Sequence, residues 1–114
     1  MKKKHLLSEV KILNEKNELA VLLNGKLVGI LEQTVTGKMQ FTYDASAKQS
    51  ISLSMPLRKE AYEEAVCEAF FGGLLPESDM AKRAIGKQYG ISPNNTFALL
   101  KAIGHDCAGA ISFI

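Results

Sequence analysis

Leu19-Ala20-Val21-Leu22-Leu23-Asn24-Gly25-Lys26-Leu27-Val28-Gly29-Ile30-Leu31-Glu32 is the stretch that decides how this chain folds. Two short apolar runs flank Asn24-Gly25, a pair in which both residues tolerate the positive φ of a tight hairpin turn. Leu19 to Leu23 therefore reads as one strand and Lys26 to Glu32 as its antiparallel return. Further on, Gly37 to Tyr43 alternates. Met39, Phe41 and Tyr43 point one way, and Lys38, Gln40 and Thr42 the other, as in a half-buried strand. Ile51, Leu53 and Met55 alternate with Ser52 and Ser54, which predicts a fourth strand stopped by Pro56.

After Pro56 the apolar period changes from two to that of a helix. Tyr62, Val66, Ala69, Phe70 and Leu74 form one stripe, widened by Cys67, Phe71 and Leu75, so the first helix should be deeply buried. Glu60, Glu63 and Glu64 at its start suit the helix dipole, and Gly72-Gly73 with Pro76 mark its end. A second helix spans Asp79 to Tyr89, with Met80, Ala81, Ala84, Ile85 and Tyr89 expected inward and Gly90 as its stop. A third begins at Asn94 or Asn95, carries Phe97, Leu100 and Ile103, and stops at Gly104. Gly109 to Ile114 reads as a closing strand. The fold class is α+β: a small antiparallel β-meander, three helices and a C-terminal strand.

Working outward, residues 1–18 differ from the rest. Leu6, Leu7, Val10 and Leu13 recur at helical spacing among lysines and glutamates, so this segment reads as an amphipathic extension to a domain over residues 19–114. A chain of 114 residues is one domain, and 46% hydrophobic residues supply an ordinary core. The net charge of +2 is too small to mark a nucleic-acid binder without clustering, and Lys2-Lys3-Lys4 is a solvated terminal run. No apolar segment reaches the roughly 18 residues of a spanning helix, which points to a cytoplasmic protein without membrane contact.

Chemistry is sparse. There is no G-x-G-x-x-G, no Walker pattern, no G-x-S-x-G, and neither the H-R-D nor the D-F-G tripeptide that holds the base and metal of a protein kinase. Cys67 and Cys107 lack zinc spacing, and His5 and His105 stand alone, so no metal or cofactor is expected and both thiols are expected to be reduced core residues. The stretch Ala84 to Leu99 has the rhythm of a helix-turn-helix. Its candidate recognition helix, however, carries only Lys101 among apolar residues, which disfavours direct base reading.

Several blocks in order resemble a known family. They are Asn24-Gly25 with Val28-Gly29 and Leu31, Phe41-Thr42-Tyr43, Ser52-Leu53-Ser54-Met55-Pro56-Leu57, Phe70-Phe71-Gly72-Gly73-Leu74-Leu75-Pro76-Glu77, Phe97-Ala98-Leu99-Leu100, and Ile103-Gly104-His105-Asp106-Cys107-Ala108-Gly109-Ala110. Together they are similar to the N-terminal subdomain of HipA-type toxin kinases, from about Leu19 to Ile114. In that family the subdomain is fused to a larger Ser/Thr kinase body, and in the split HipBST arrangement it is a separate small protein, HipS. The resemblance thus implies a non-catalytic antitoxin that binds and restrains a HipA-like kinase toxin, HipT, with a helix-turn-helix protein, HipB, in the same complex. The chain ends where the kinase body would begin, and the extension over residues 1–18 favours a separately encoded protein. The alternatives are an excised N-terminal subdomain of a full HipA-type kinase, or a small helix-turn-helix DNA-binding regulator.

With no catalytic constellation in view, binding is the expected activity. Pro56 ends a strand, Arg58-Lys59-Glu60 cannot be buried unpaired, and Tyr62 follows at once. Arginine and tyrosine are enriched in interface hot spots. Arg58, Lys59 and Tyr62 are therefore the candidate partner contacts, although Tyr62 can equally open the core stripe of the first helix.

Overall fold

Asn24 and Gly25 have φ of 52° and 82°, the left-handed pair that a two-residue hairpin requires. They join β1 (Glu18–Leu23) to β2 (Lys26–Gln33). The computed structural model describes residues 17–104 and 110–114. The amphipathic helix expected before Asn17, both histidines and Cys107 lie outside the described residues. β3 (Met39–Tyr43) pairs with β2, and β4 (Ile111–Phe113) pairs with β1, giving an antiparallel sheet in the order β3-β2-β1-β4.

The hairpin carries one irregularity with a clear effect. Val21 pairs with Gly29 but Leu22 pairs with Leu27, so Val28 is the extra residue of a β-bulge. Strict alternation would put Val28 and Leu31 on opposite faces. With the bulge both are buried. Gly29 is where the neighbouring strand crowds closest. A Cβ there would sit 2.5 Å from the Thr42 carbonyl oxygen and 2.6 Å from the Phe41 ring.

The strand expected over Ile51 to Met55 does not form. Met55 N–H donates to the Ser52 carbonyl at 3.0 Å, closing a turn. The Ser52 hydroxyl accepts from Ser54 N–H at 3.1 Å, and Leu53 stands 99% exposed at the apex. Two physical causes are visible. Serine side chains compete with a ladder by bonding nearby backbone. The outer edge of β3 is also already taken, because Phe41 and Tyr62 exchange backbone hydrogen bonds of 2.9 and 2.7 Å.

That exchange also corrects the first helix. Tyr62 lies in an extended segment and α1 runs from Glu64 to Phe71, followed by a 3-10 turn over Gly72–Leu74. Its buried residues are Cys67 and Phe71, one turn apart, with Leu75 buried beyond them. Val66 and Phe70 are half-buried and Ala69 is exposed, so the expected primary stripe is the flank and the expected widening is the centre. α2 (Asp79–Tyr89) has the expected limits, with Ser78 Oγ accepting from Ala81 N–H at 3.2 Å and Gly90 at its C-terminal end. Its inward face differs from the expected one. Met80, Ala84 and Tyr89 are exposed, and contact runs through Ala81, Ile85 and Gly86. α3 (Thr96–Ile103) is capped by Asn95 Oδ1, which accepts from Ala98 N–H at 3.1 Å, and buries Phe97, Leu99 and Leu100.

Helices and sheet meet over Phe41, Phe71 and Phe113. Phe71 lies between the other two rings, at centroid distances of 5.5 and 5.9 Å. All three are at most 1% exposed. Phe71→Ala should cost about 3–5 kcal/mol, since the cavity opens in the middle of this stack. Val35→Ala, at a 99% exposed position, should stay within about 0.5 kcal/mol. Urea unfolding of the two variants checks both.

Cys67 is fully buried and its Sγ–H donates to the Tyr62 carbonyl at 3.4 Å. Burial, with Glu64 nearby, pushes the thiol up to about 12 from its ordinary value near 9. Burial likewise pushes the Tyr43 phenol up. In the unfolded chain the thiol loses its proton above about pH 9, while the folded chain holds it. Stability therefore falls as pH rises through that window. The urea midpoint should drop between pH 8 and pH 10.5, and Cys67→Ala should flatten the early part of the drop. Native protein should leave the Cys67 thiol unreacted toward a disulfide reagent at pH 8 until denaturant is added.

Candidate partner-binding face

β3 positions the face. Its last residue, Tyr43, points its ring into the core, edge-on to Phe41 at 4.8 Å and to Tyr62 at 6.3 Å between centroids. The Tyr43 hydroxyl donates to the Met55 carbonyl and accepts from Ile51 N–H at 2.9 Å, so one phenol fixes both ends of the 51–55 turn. The Tyr62 hydroxyl donates to the Pro56 carbonyl. Two buried tyrosines thus staple the connection from Ile51 to Tyr62 to the sheet.

Arg58 returns over this staple. Its guanidinium carbon sits 3.7 Å from the centre of the Tyr62 ring, within the range of a cation–π contact. Nε donates to the Glu60 carbonyl at 3.1 Å and Nη2 to the Ala61 carbonyl at 2.9 Å. Of the three candidate contacts, Arg58 and Lys59 are exposed and Tyr62 is 4% exposed. Arg58 and Tyr62 are brought together as a stacked pair, and Lys59 projects beside them. Proximity in sequence hinted at the stack. The role of Tyr43 carried no local signal, because its targets lie eight and twelve residues away.

Two carboxylates of α1 are engaged in holding the fold. Glu64 Oε1 accepts from Met39 N–H at 2.6 Å, and Glu68 Oε2 accepts from the Thr96 hydroxyl at 2.8 Å. Asp44 accepts from the Ser46 hydroxyl and from its N–H, and these two bonds hold its carboxyl below the ordinary range. Among the described residues no group of three metal-ligating side chains converges, and no helix is long and apolar enough to cross a membrane. In the helix-turn-helix-like pair, α3 buries Phe97, Leu99 and Leu100, and the one exposed residue of α3 is Lys101. A helix laid in a DNA groove needs a broad polar face, which α3 does not present.

Against known proteins, a family model described as the HipA N-terminal domain matches residues 19–114. The candidate kinase Y4mE of Sinorhizobium fredii is 37% identical over 101 residues, which is 84% of this chain and 24% of that protein. Among solved structures, a chain in the Shewanella oneidensis toxin–antitoxin complex of HipA, HipB and operator DNA superimposes with a TM-score of 0.72 at 30% identity. That match covers 84% of this chain and 23% of the other. A solved N-terminal domain of HipA toxin matches with a TM-score of 0.59 at 18% identity, over 86% of this chain and 91% of that one, and supports the fold. The chain spans about a quarter of the length of the Sinorhizobium fredii relative. A four-stranded antiparallel sheet closed by a C-terminal strand and overlaid by three helices, matched from Leu19 to Ile114, places the chain in the HipA N-terminal domain family.

Proposed function

We propose that this chain is a non-catalytic antitoxin subunit of the HipS kind, which binds and restrains a HipA-like Ser/Thr kinase toxin in a HipBST-type system. The observation that carries the reading is the extent of the family match. It runs over residues 19–114 and is to the N-terminal domain, which is not the catalytic part of HipA. With Glu64 and Glu68 engaged in structural hydrogen bonds, the domain acts by presenting a surface. The partner is a HipT-like kinase, and a HipB-like DNA-binding protein completes the complex, in keeping with the relative found with HipB and operator DNA.

Arg58, Lys59 and the ring of Tyr62 beneath them form the proposed contact. The staple makes this segment a fixed surface in the free chain, so binding does not have to order it. A second reading, that the chain is the N-terminal portion of a longer HipA-type kinase, has one observation behind it: the match to a relative about four times longer. A separate kinase reading frame immediately downstream supports the first reading, and continuous coding into a kinase body supports the second.

Titration of the chain into the purified downstream kinase tests the proposal. Saturable binding with loss of kinase autophosphorylation is expected, and no binding overturns it. Arg58→Ala with Lys59→Ala should weaken binding by tenfold or more, about 1.4 kcal/mol, with an unchanged circular dichroism spectrum. Tyr62→Phe keeps the core ring while removing the bond to Pro56, and should weaken binding less. If both bind within threefold of the parent, the contact lies elsewhere on the chain. The isolated chain should also show no change in melting temperature with millimolar ATP. A ligand of the native state would raise it.

A further inference from the structure

The loop after β3 separates two open depressions that meet at Ala47. The larger, about 600 Å³, has Leu23, Leu27 and Val28 on its floor and Lys26 and Lys48 on its rim. The other, about 480 Å³, has Tyr43 and Leu57 inside and Arg58 and Lys59 on its rim. Leu27 and Leu57 are each 42% exposed, so the apolar floor is open to a partner.

The charge around this floor is one-sided. Between Asn17 and Ile114 there are nine lysines and arginines and ten aspartates and glutamates. Four of the nine cations line the two depressions, against a single acid, Asp44. Asp44 is already engaged by Ser46. Lys26, Lys48 and Lys59 are exposed, and Arg58 is held in place by the carbonyls of Glu60 and Ala61. Positive rim and apolar floor together demand an occupant that is acidic and aliphatic at once.

We propose that the two depressions form one docking groove for a polypeptide segment in which aspartates or glutamates flank aliphatic side chains. The groove extends the contact at Arg58 and Lys59 across Ala47 to Lys48, in the loop after β3, and Lys26, on the β1–β2 hairpin. That the segment belongs to the kinase rests on the function proposed above, while the groove's own chemistry does not. A nucleic acid matches the rim but leaves the leucines on the floor facing a phosphate backbone, and is the less suited occupant.

Two titrations test the groove. In the first, the kinase is titrated with the parent, with Lys26→Glu/Lys48→Glu, and with Arg83→Glu/Lys87→Glu on α2 as a charge-matched control. The hairpin-side reversal should weaken binding tenfold or more and the control less than threefold. Equal weakening, or none, overturns the groove while leaving the antitoxin reading standing. If the parent does not bind the kinase, the antitoxin reading fails and the second titration decides the groove. There, a synthetic peptide of alternating glutamate and leucine is added to the isotope-labelled chain. Amide shift changes should cluster at Lys26, Lys48, Leu57 and Lys59, and vanish in Lys26→Glu/Lys48→Glu. Changes that are absent or scattered overturn the proposal. So does preferential binding of a duplex DNA oligonucleotide that the same reversal abolishes. Leu57→Ser, at a half-exposed position, should fold normally and weaken the peptide threefold or more.

Discussion

Phe41 and Tyr62 exchange two backbone hydrogen bonds, and the arrangement of the helical layer follows from that exchange. β3 is an edge strand, and an unpaired edge invites a further strand. Tyr62 fills the position with one residue of extended chain, which stops the sheet from growing and fixes where α1 begins two residues later. Glu64, in the first turn of α1, then reaches the Met39 amide, so the same strand is tied to the helix a second time. With α1 set in this way, Cys67 and Phe71 point at the sheet, and Phe71 reaches both Phe41 and Phe113. One edge pairing thus helps connect β3, at one edge of the sheet, to β4, at the other.

The same pairing explains the shape of the connection that precedes α1. Because Tyr62 is anchored beside Phe41, its phenol stands next to that of Tyr43, and the two hydroxyls reach Pro56 and Met55. A connection of this length without regular structure exposes many backbone groups. Here the tyrosines and Arg58 account for the carbonyls of Met55, Pro56, Glu60 and Ala61. The result is an irregular segment with a defined course. Such a segment can serve as a recognition surface without the ordering cost that a loose loop incurs on binding.

Elements whose signal is local were legible in the sequence. Asn24-Gly25 announced its turn, Met39-Phe41-Tyr43 its burial, and Asn95 and Gly90 the ends of their helices. What failed was decided by distant partners. Alternation at Ile51, Leu53 and Met55 is the same signal as in β3, but a ladder needs a free neighbour and Tyr62 had taken it. The apolar residues of α2 formed a plausible stripe, yet the helix touches the rest of the fold on only part of its surface, and Met80 is left 78% exposed. For the candidate face, Arg58 and Lys59 could be picked out as exposed from their charge. Their link to Lys26 and Lys48 could not, because the hairpin tip and the loop after β3 meet only in the folded chain.

Net charge alone would have hidden that face, since the cations and anions of this chain are used differently. Glu64 and Glu68 accept hydrogen bonds that join α1 to β3 and to α3, and Asp44 closes its own turn. These acids act within the fold, at short range, where a carboxylate is a strong acceptor. Lys26, Lys48 and Lys59 remain at the solvent-exposed rim, and Arg58 is oriented by backbone carbonyls with no acid opposite it. A chain of near-zero overall charge therefore presents a locally positive surface over an apolar floor. Among the described residues Asp44 is the one acid that lines the two depressions, and it is engaged by Ser46. The chain thus combines three acids held in structural hydrogen bonds with four cations left at the rim of the candidate face.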